Sequence, residues 1–300
     1  MNGNTLIVII GPTAVGKTDL CITLAQQLGT GIISADSRQI YREMKIGTAV
    51  PDDEALQKVK HYFIGTKSIH DYYTAGIFEL EVLELLLERF REKNVIIMTG
   101  GSGLYINAVC HGIDALPKAD PEIRERLIKQ YEKEGIKGIR NHLKLLDPAS
   151  YHKIDLKNPK RILKALEVTL TTGKPYSSFL TRKKKERPFR ILKIGLKRER
   201  KDLYERINKR VDQMMAQGMI EEARSLYPYK HLNPLNTVGY KELYDYFGDN
   251  ISLEEAIRLI KRNTRRYAKR QLTWFARDKE IQWFHPEEKD KILNYIQNNL

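Results

Sequence analysis

One string, Gly11-Pro12-Thr13-Ala14-Val15-Gly16-Lys17-Thr18, restricts the fold of this chain more than any other feature. It satisfies G-x-x-x-x-G-K-[ST] in full, follows the β-branched run Thr5–Ile10 and opens a helical stretch, Lys17–Leu28. A strand, a glycine-rich loop and a helix in that order wrap successive backbone N–H groups around an anion at the positive end of a helix. Lys17 adds a full charge against the terminal phosphates, and the Thr18 hydroxyl is placed to ligate a Mg²⁺ shared with them. The motif specifies what is held, not what happens to it.

Strand and helix signals alternate from residue 5 to 113. After the loop come a second apolar strand, Gly31–Ala35, and an amphipathic helix over Phe78–Lys93. In that helix Leu80, Leu83, Leu86, Leu87 and Phe90 recur at helical spacing. A third strand, Val95–Met98, precedes the turn Thr99–Gly103. This alternation predicts an α/β fold: a P-loop NTPase-like core with a parallel sheet flanked by helices. Strand signals then vanish. Pro121, Pro148 and Pro159 open helices, and Gly135 and Gly138 interrupt. Thr181–Arg190 reads as a basic linker, Ile191–Leu196 as a returning strand, and helices follow over Lys201–Gln217, Ile220–Leu226 and Leu253–Ala276. A strand that returns after a helical stretch implies an insertion. The expected division is residues 1–115 and 190–300 for the catalytic core and 116–189 for an all-helical inserted module.

Phosphoryl-transfer enzymes commonly place an Asp at the end of a second buried strand to hold Mg²⁺. Here Val95–Met98 runs into Thr99-Gly100-Gly101-Ser102-Gly103, without a carboxylate. The acid at a strand end is Asp36. The carboxyl ends of parallel strands line the ligand crevice, so Asp36 is expected to face the loop as a metal helper or a general base. Arg38 and Gln39 offer edges for a base or a phosphate, and Ser102 adds a hydroxyl to the same rim.

Charge points to the partner. Lys and Arg number 52 against 38 Asp and Glu, a net +14, which suits a polyanion. Between Arg258 and Arg270 seven residues are basic and none is acidic. Arg258, Arg262, Arg265 and Lys269 share one helical face, whereas Ile257, Ile260 and Tyr267 are expected to face the core. Cys21 and Cys110 supply neither a disulfide framework nor a zinc site. No run approaches the roughly 18 apolar residues of a membrane span. Leu6–Ile10 is too short for a signal-peptide core, so a cytoplasmic protein is expected.

The strings GPTAVGKT, SADSRQIY, MKIGTA, TGGSGLYI, GIDALPKADPEIR, RILKALEVTLTTGKPYS, NTVGYKEL and TRRYAKRQLTWF run in order from Gly11 to Phe275. Together they resemble the bacterial tRNA dimethylallyltransferases. The resemblance implies transfer of a dimethylallyl group from dimethylallyl diphosphate to N6 of the adenosine 3′ to the anticodon, with Mg²⁺ assisting. It implies Asp36 as general base, and Lys17, Thr18 and the loop from Gly11 through Pro12, Thr13, Ala14, Val15 and Gly16 as the diphosphate clamp. Thr13 would lie near the allylic end of the donor, and Arg210 would be a further diphosphate arginine. The implied tRNA contacts are Asp36, Ser37, Arg38 and Gln39, then Ser102, Arg124, Lys160, Arg161 and Lys164, and then Gly239, Tyr240 and Lys241. Arg262, Arg265 and Lys269 join them from the basic stripe. Two departures stand out. Ser102 replaces the family's usual threonine, and Lys60-His61-Tyr62-Phe63-Ile64-Gly65 replaces its Pro-His-His-Leu-Ile-Asp segment, which leaves His61 a structural residue.

The chemistry is consistent with the residues. An adenine amine is a poor nucleophile and needs a strong electrophile and a proton acceptor. An allylic diphosphate is such an electrophile, and stabilising its leaving group suits Lys17, Arg210 and a Thr18-held Mg²⁺. The target base must leave its stack to be reached, which suits a single-stranded anticodon loop. Three other readings compete: an isopentenyltransferase acting on free adenine nucleotides, a P-loop nucleotide kinase or ATPase, and a nucleotide-gated RNA-binding module. The first has no use for the basic stripe, the second lacks its strand-end acid, and the third does not explain Asp36. A monomer is expected, because tRNA must be embraced from two sides.

Overall fold

A computed structural model describes residues 3–117, 120–181 and 183–300. Lys118 and Ala119 of the GIDALPKADPEIR string, and Arg182 of the expected linker, lie outside the described residues. The chain divides into two compact units, residues up to His111 with Glu186–Leu300, and Gly112–Lys185.

The larger unit begins with β1 (Thr5–Ile10), buried along its whole length, and α1 (Lys17–Leu28). Both coincide with the residues expected from sequence. Then come β2 (Ile32–Ser34), α2 (Asp53–Lys58), β3 (His61–Tyr62), α3 (Ala75–Arg89), β4 (Val95–Gly100) and α4 (Gly103–His111). Asp52 and Thr74 cap α2 and α3 by accepting from the backbone N–H of Ala55 and Ile77. The inward face of α3 differs from the expected one. Phe78, Val82 and Leu86 are buried, whereas Leu80 is 68% and Leu87 62% exposed. The helix is rotated because Glu79 also turns inward, where its carboxylate meets the Arg187 guanidinium at 2.8 Å.

The smaller unit is helical. Its helices are α5 (Pro121–Leu146), α6 (Pro148–Lys153) and α7 (Pro159–Thr172), each with proline in its first turn and capped by Asp120, Asp147 and Asn158 respectively. Gly135 breaks α5 with a left-handed φ of 66°, while Gly138 stays helical. Leu127, Ile139, Leu143, Ile162, Ala165 and Leu166 form the unit's own core.

The chain re-enters the larger unit through β5 (Arg190–Leu196). It continues with α8 (Arg200–Ala216), α9 (Met219–Leu226), α10 (Tyr240–Phe247), α11 (Leu253–Phe275), β6 (Gln282–Phe284) and α12 (Lys289–Gln297). The six strands form one parallel sheet in the order β3-β2-β4-β1-β5-β6. The expected P-loop-like α/β core with flanking helices is therefore present. Register does the rest: Thr99 of β4 lies between Ile9 of β1 and Ser34 of β2. The segments just beyond these residues, at Gly11, Gly101 and Asp36, therefore emerge together at the carboxyl edge of the sheet. Among the described residues no helix is long and apolar enough to cross a membrane.

Candidate active site

The phosphate loop bends through two left-handed residues, Ala14 (φ 62°) and Gly16 (φ 108°), the latter capping α1. A left-handed alanine is strained, and such strain collects at ligand-binding turns. Val15 drives its side chain into the core beneath, so only its backbone is available to a ligand. Pro12 has no N–H to offer. Its carbonyl instead accepts from the Lys17 ammonium at 2.8 Å, alongside that of Gly11 at 3.0 Å. Burial, aided by the nearby Arg210 cation and opposed by Asp36, lowers the Lys17 pKa to about 8.

The outward carbonyls of the loop are held by arginines that the sequence reading did not single out. Arg198, just past β5, donates Nε–H to Val15 O at 2.9 Å, and Arg206 of α8 donates to Ala14 O at 2.9 Å. One turn beyond Arg206, Arg210 joins the pocket. Burial lowers its pKa, and Asp36 pulls in the opposite direction. Thr18, exposed at the start of α1, lines the same pocket.

The facing wall is the turn after β2. Asp36 Oδ1 accepts from the backbone N–H of Arg38 (2.9 Å) and Gln39 (3.4 Å), a local turn that fixes the carboxyl group. Among the described residues, Oδ2 accepts no hydrogen bond. Ser102 Oγ accepts the Ser37 N–H at 3.0 Å and so ties this turn to the end of β4. Gln39, expected at the RNA surface, has its carboxamide engaged within the protein. Nε2 donates to Thr48 O and Ala49 O, and Oε1 accepts from Ser34. The Lys45–Gly47 segment is gripped by Glu222, whose carboxylate accepts the N–H of Lys45, Ile46 and Gly47 at 2.8–2.9 Å.

These elements enclose a cavity of about 1180 Å³ lined by Thr13, Lys17, Thr18, Asp36, Arg38, Arg210 and Gly239. Several expected contacts lie elsewhere. Tyr240 has no exposed surface; it fills the core, and its hydroxyl donates to Glu222 at 2.7 Å, so it is not an RNA contact. Lys241, next to it, is exposed. On α11 the exposed cations are Arg258, which pairs with Glu255 at 2.6 Å, and Arg266, Lys269 and Arg270. Arg262 and Arg265 are half-buried and bond to Asn263 and Asn208. Tyr267, expected in the core, opens onto the cavity instead, because Ala268 and Gln271 occupy the inward face.

In the helical unit Lys160 and Arg161 are exposed at the start of α7. Arg124 and Lys164 reach the buried carboxylate of Glu167 at 2.7 and 3.4 Å, which its burial requires. His61 Nδ1–H donates to Val59 O of its own segment at 2.8 Å, in keeping with a structural role. Among the described residues one group of metal-ligand type, His111, Asp278 and Glu280, lies away from the cavity. The Lys193 ammonium already sits in it, 2.7 Å from Asp278 and 2.6 Å from Glu280.

The chain is similar to known proteins over nearly its whole length. A family model described as IPP transferase matches residues 39–278. The tRNA dimethylallyltransferase 1 of Bacteroides fragilis is 53% identical over 300 residues, all of both chains. That of Porphyromonas gingivalis is 55% identical over 98% of each. Among solved structures, the tRNA isopentenylpyrophosphate transferase of Bacillus halodurans superposes with a TM-score of 0.72 at 37% identity, covering 98% of this chain and 96% of its own. A eukaryotic dimethylallyltransferase acting on tRNA gives 0.72 at 26% identity, over 91% of this chain and 70% of its own.

Proposed function

The chain belongs to the IPP transferase family, and from that premise we propose that it transfers a dimethylallyl group from dimethylallyl diphosphate to N6 of the adenosine 3′ to the anticodon in tRNA. The observation that supports this most directly is the placement of Asp36 across one cavity from Lys17 and Arg210.

In this reading the loop amides, Lys17 and Arg210 take the diphosphate. As the allylic C–O bond breaks, the leaving oxygen gains charge, and two cations held in a partly desolvated wall stabilise it. The N6–carbon bond forms as Asp36 accepts the proton that the amine must lose. Asp36 suits that role because one oxygen is fixed by its own turn and the other is unused. Mg²⁺ fits the same site: the exposed Thr18 hydroxyl is a hard oxygen donor, and the remaining ligands would be diphosphate oxygens and water. The ion would supply further charge neutralisation on the leaving group. Lys160, Arg161, Lys241 and Lys269 remain exposed and would meet RNA phosphates. In this reading the protein works as a monomer in the cytoplasm, where its tRNA acceptor would be.

Incubation with unmodified tRNA, Mg²⁺ and labelled dimethylallyl diphosphate should place label in tRNA. Label in free adenine nucleotides alone would favour the nucleotide isopentenyltransferase. Phosphate release from ATP without any transfer would favour a kinase or ATPase and sink the reading.

A further inference from the structure

We propose that Gln271 of α11 is a positioning residue that sets the phosphate loop in register with the turn carrying Asp36; this rests on the transferase reading above. Gln271 is 6% exposed, and both ends of its carboxamide are engaged, each by a different loop. Oε1 accepts the Thr13 N–H at 2.9 Å, and Nε2 donates to Gly101 O at 2.9 Å. Gly101 is open to this approach because it has no side chain: a Cβ there would lie 2.1 Å from Gln271 Nε2.

The contacts continue to the base. Ser102, next to Gly101, accepts the N–H of Ser37, which follows Asp36. One helical turn before Gln271, Tyr267 lines the same cavity. Gln271 thus braces both sides of the reaction: it holds the donor's loop through Thr13 and the end of β4 through Gly101, and Ser102, next in sequence, ties that end to the turn of the acceptor's base. Gln271 is not itself a diphosphate ligand. It takes up the N–H of Thr13, fixes where that residue lines the cavity, and, with Val15 N–H turned back to Pro12 O, leaves the amides of Ala14 and Gly16 to the anion. Transfer depends on how far the loop lies from Asp36, and a misplacement of about 1 Å can cost on the order of 10²-fold in rate.

Three measurements test this. Amide hydrogen exchange at Thr13 should be slow in the wild type and fast in Gln271→Ala. In steady-state assays Gln271→Ala should lose on the order of 10²-fold in kcat, while KM for the donor and Kd for tRNA stay within about twofold. Gln271→Glu supplies a pH signature. Its protonated carboxyl can both accept from Thr13 and donate to Gly101, whereas the ionised form cannot donate. Its rate relative to wild type should therefore climb about tenfold per pH unit on lowering the pH while the carboxyl is mostly ionised. A residue that only fills the core would give a flat ratio.

The proposal is overturned by a Gln271→Ala kcat within about twofold of wild type, by kcat, KM and Kd all failing together, or by a flat Gln271→Glu ratio. If Gln271→Ala does not fold, the Gln271→Glu ratio decides. A wild type that protects Thr13 but transfers nothing to tRNA would sink the transferase reading and with it the catalytic half of this proposal, leaving the brace. An active wild type with an unprotected Thr13 would sink the brace alone.

Discussion

The Lys17 ammonium lies 2.8 Å from the carbonyl oxygen of Pro12, folded back onto the loop that it serves. In that position it satisfies two loop carbonyls, and the loop keeps its shape around a buried cation. The cost appears in its pKa, lowered to about 8 mainly by burial and next by Arg210. A diphosphate arriving in the cavity reverses both effects by supplying opposite charge.

Donor binding should therefore take up a proton at Lys17. The free protein carries the depressed value and the complex a raised one, so uptake is small well below pH 8 and approaches one proton as the pH rises above it. Donor affinity should weaken with rising pH through the same window. Calorimetry of diphosphate binding in two buffers of different ionisation heat reads the proton directly. A Lys17→Met variant should show no such uptake; an unchanged uptake would assign it to another group.

Arg187 provides a stability prediction. Its side chain is 6% exposed, pairs with the 3% exposed Glu79, and also donates to the carbonyls of Ala108 and Val109 at the end of α4. Arg187→Met would remove a buried guanidinium shared by the Glu79 carboxylate and two α4 carbonyls, at a cost of about 3–5 kcal/mol. Adding Glu79→Gln should recover part of that loss, because the buried charge that faced Arg187 goes with it. Chemical denaturation of the single and double variants checks this, and equal stability of the single variant and wild type would refute it.

The parts of the fold that could be read from sequence were those that local chemistry dictates. β1 and α1 fall on the expected residues because the loop motif requires a strand before it and a helix after it. α11 spans Leu253–Phe275 against an expected Leu253–Ala276, since Ser252 caps its start and its apolar period is long. The face of that helix was harder to read. Apolar spacing assigned Tyr267 to the core, but Ala268 and a polar residue, Gln271, took that side because two active-site turns lie there. No local signal marks Gln271, whose partner Thr13 is 258 residues away. Tyr240, which only the resemblance placed among the RNA contacts, is drawn into the core because Glu222 gives its hydroxyl a buried partner. Short elements such as β3 and β6 escaped notice because two or three residues carry no usable period.

Glu222 links these missed contacts to activity. Its carboxylate accepts three consecutive N–H groups, Lys45 to Gly47, and the Tyr240 hydroxyl. Hydrogen bonds to a charged group are worth about 1.5–3 kcal/mol each when intact, and a carboxamide would turn an N–H donor toward amides that already donate. Glu222→Gln should therefore loosen the Lys45–Ala49 wall of the cavity. Faster amide exchange at Lys45, Ile46 and Gly47, with a raised KM for tRNA, is the expected result. Unchanged exchange at all three would show that the wall is held by something else.

Asp36 is both a turn-former and the proposed base, and two substitutions separate those roles. Asn keeps an oxygen where Oδ1 accepts from the Arg38 and Gln39 N–H groups, so the turn survives, but its amide is no proton acceptor. Asp36→Asn should lose about 10²–10⁴-fold in kcat, the usual range for a general base, with tRNA affinity unchanged. Asp36→Ala removes the turn contacts as well, so it should lose at least as much rate and also some tRNA affinity through Ser37 and Arg38. Rates of single-turnover transfer and filter binding of tRNA measure the two effects independently. An Asp36→Asn enzyme that transfers at the wild-type rate would show that the carboxylate shapes the turn without taking the proton, and the acceptor would have to be sought elsewhere on the cavity wall.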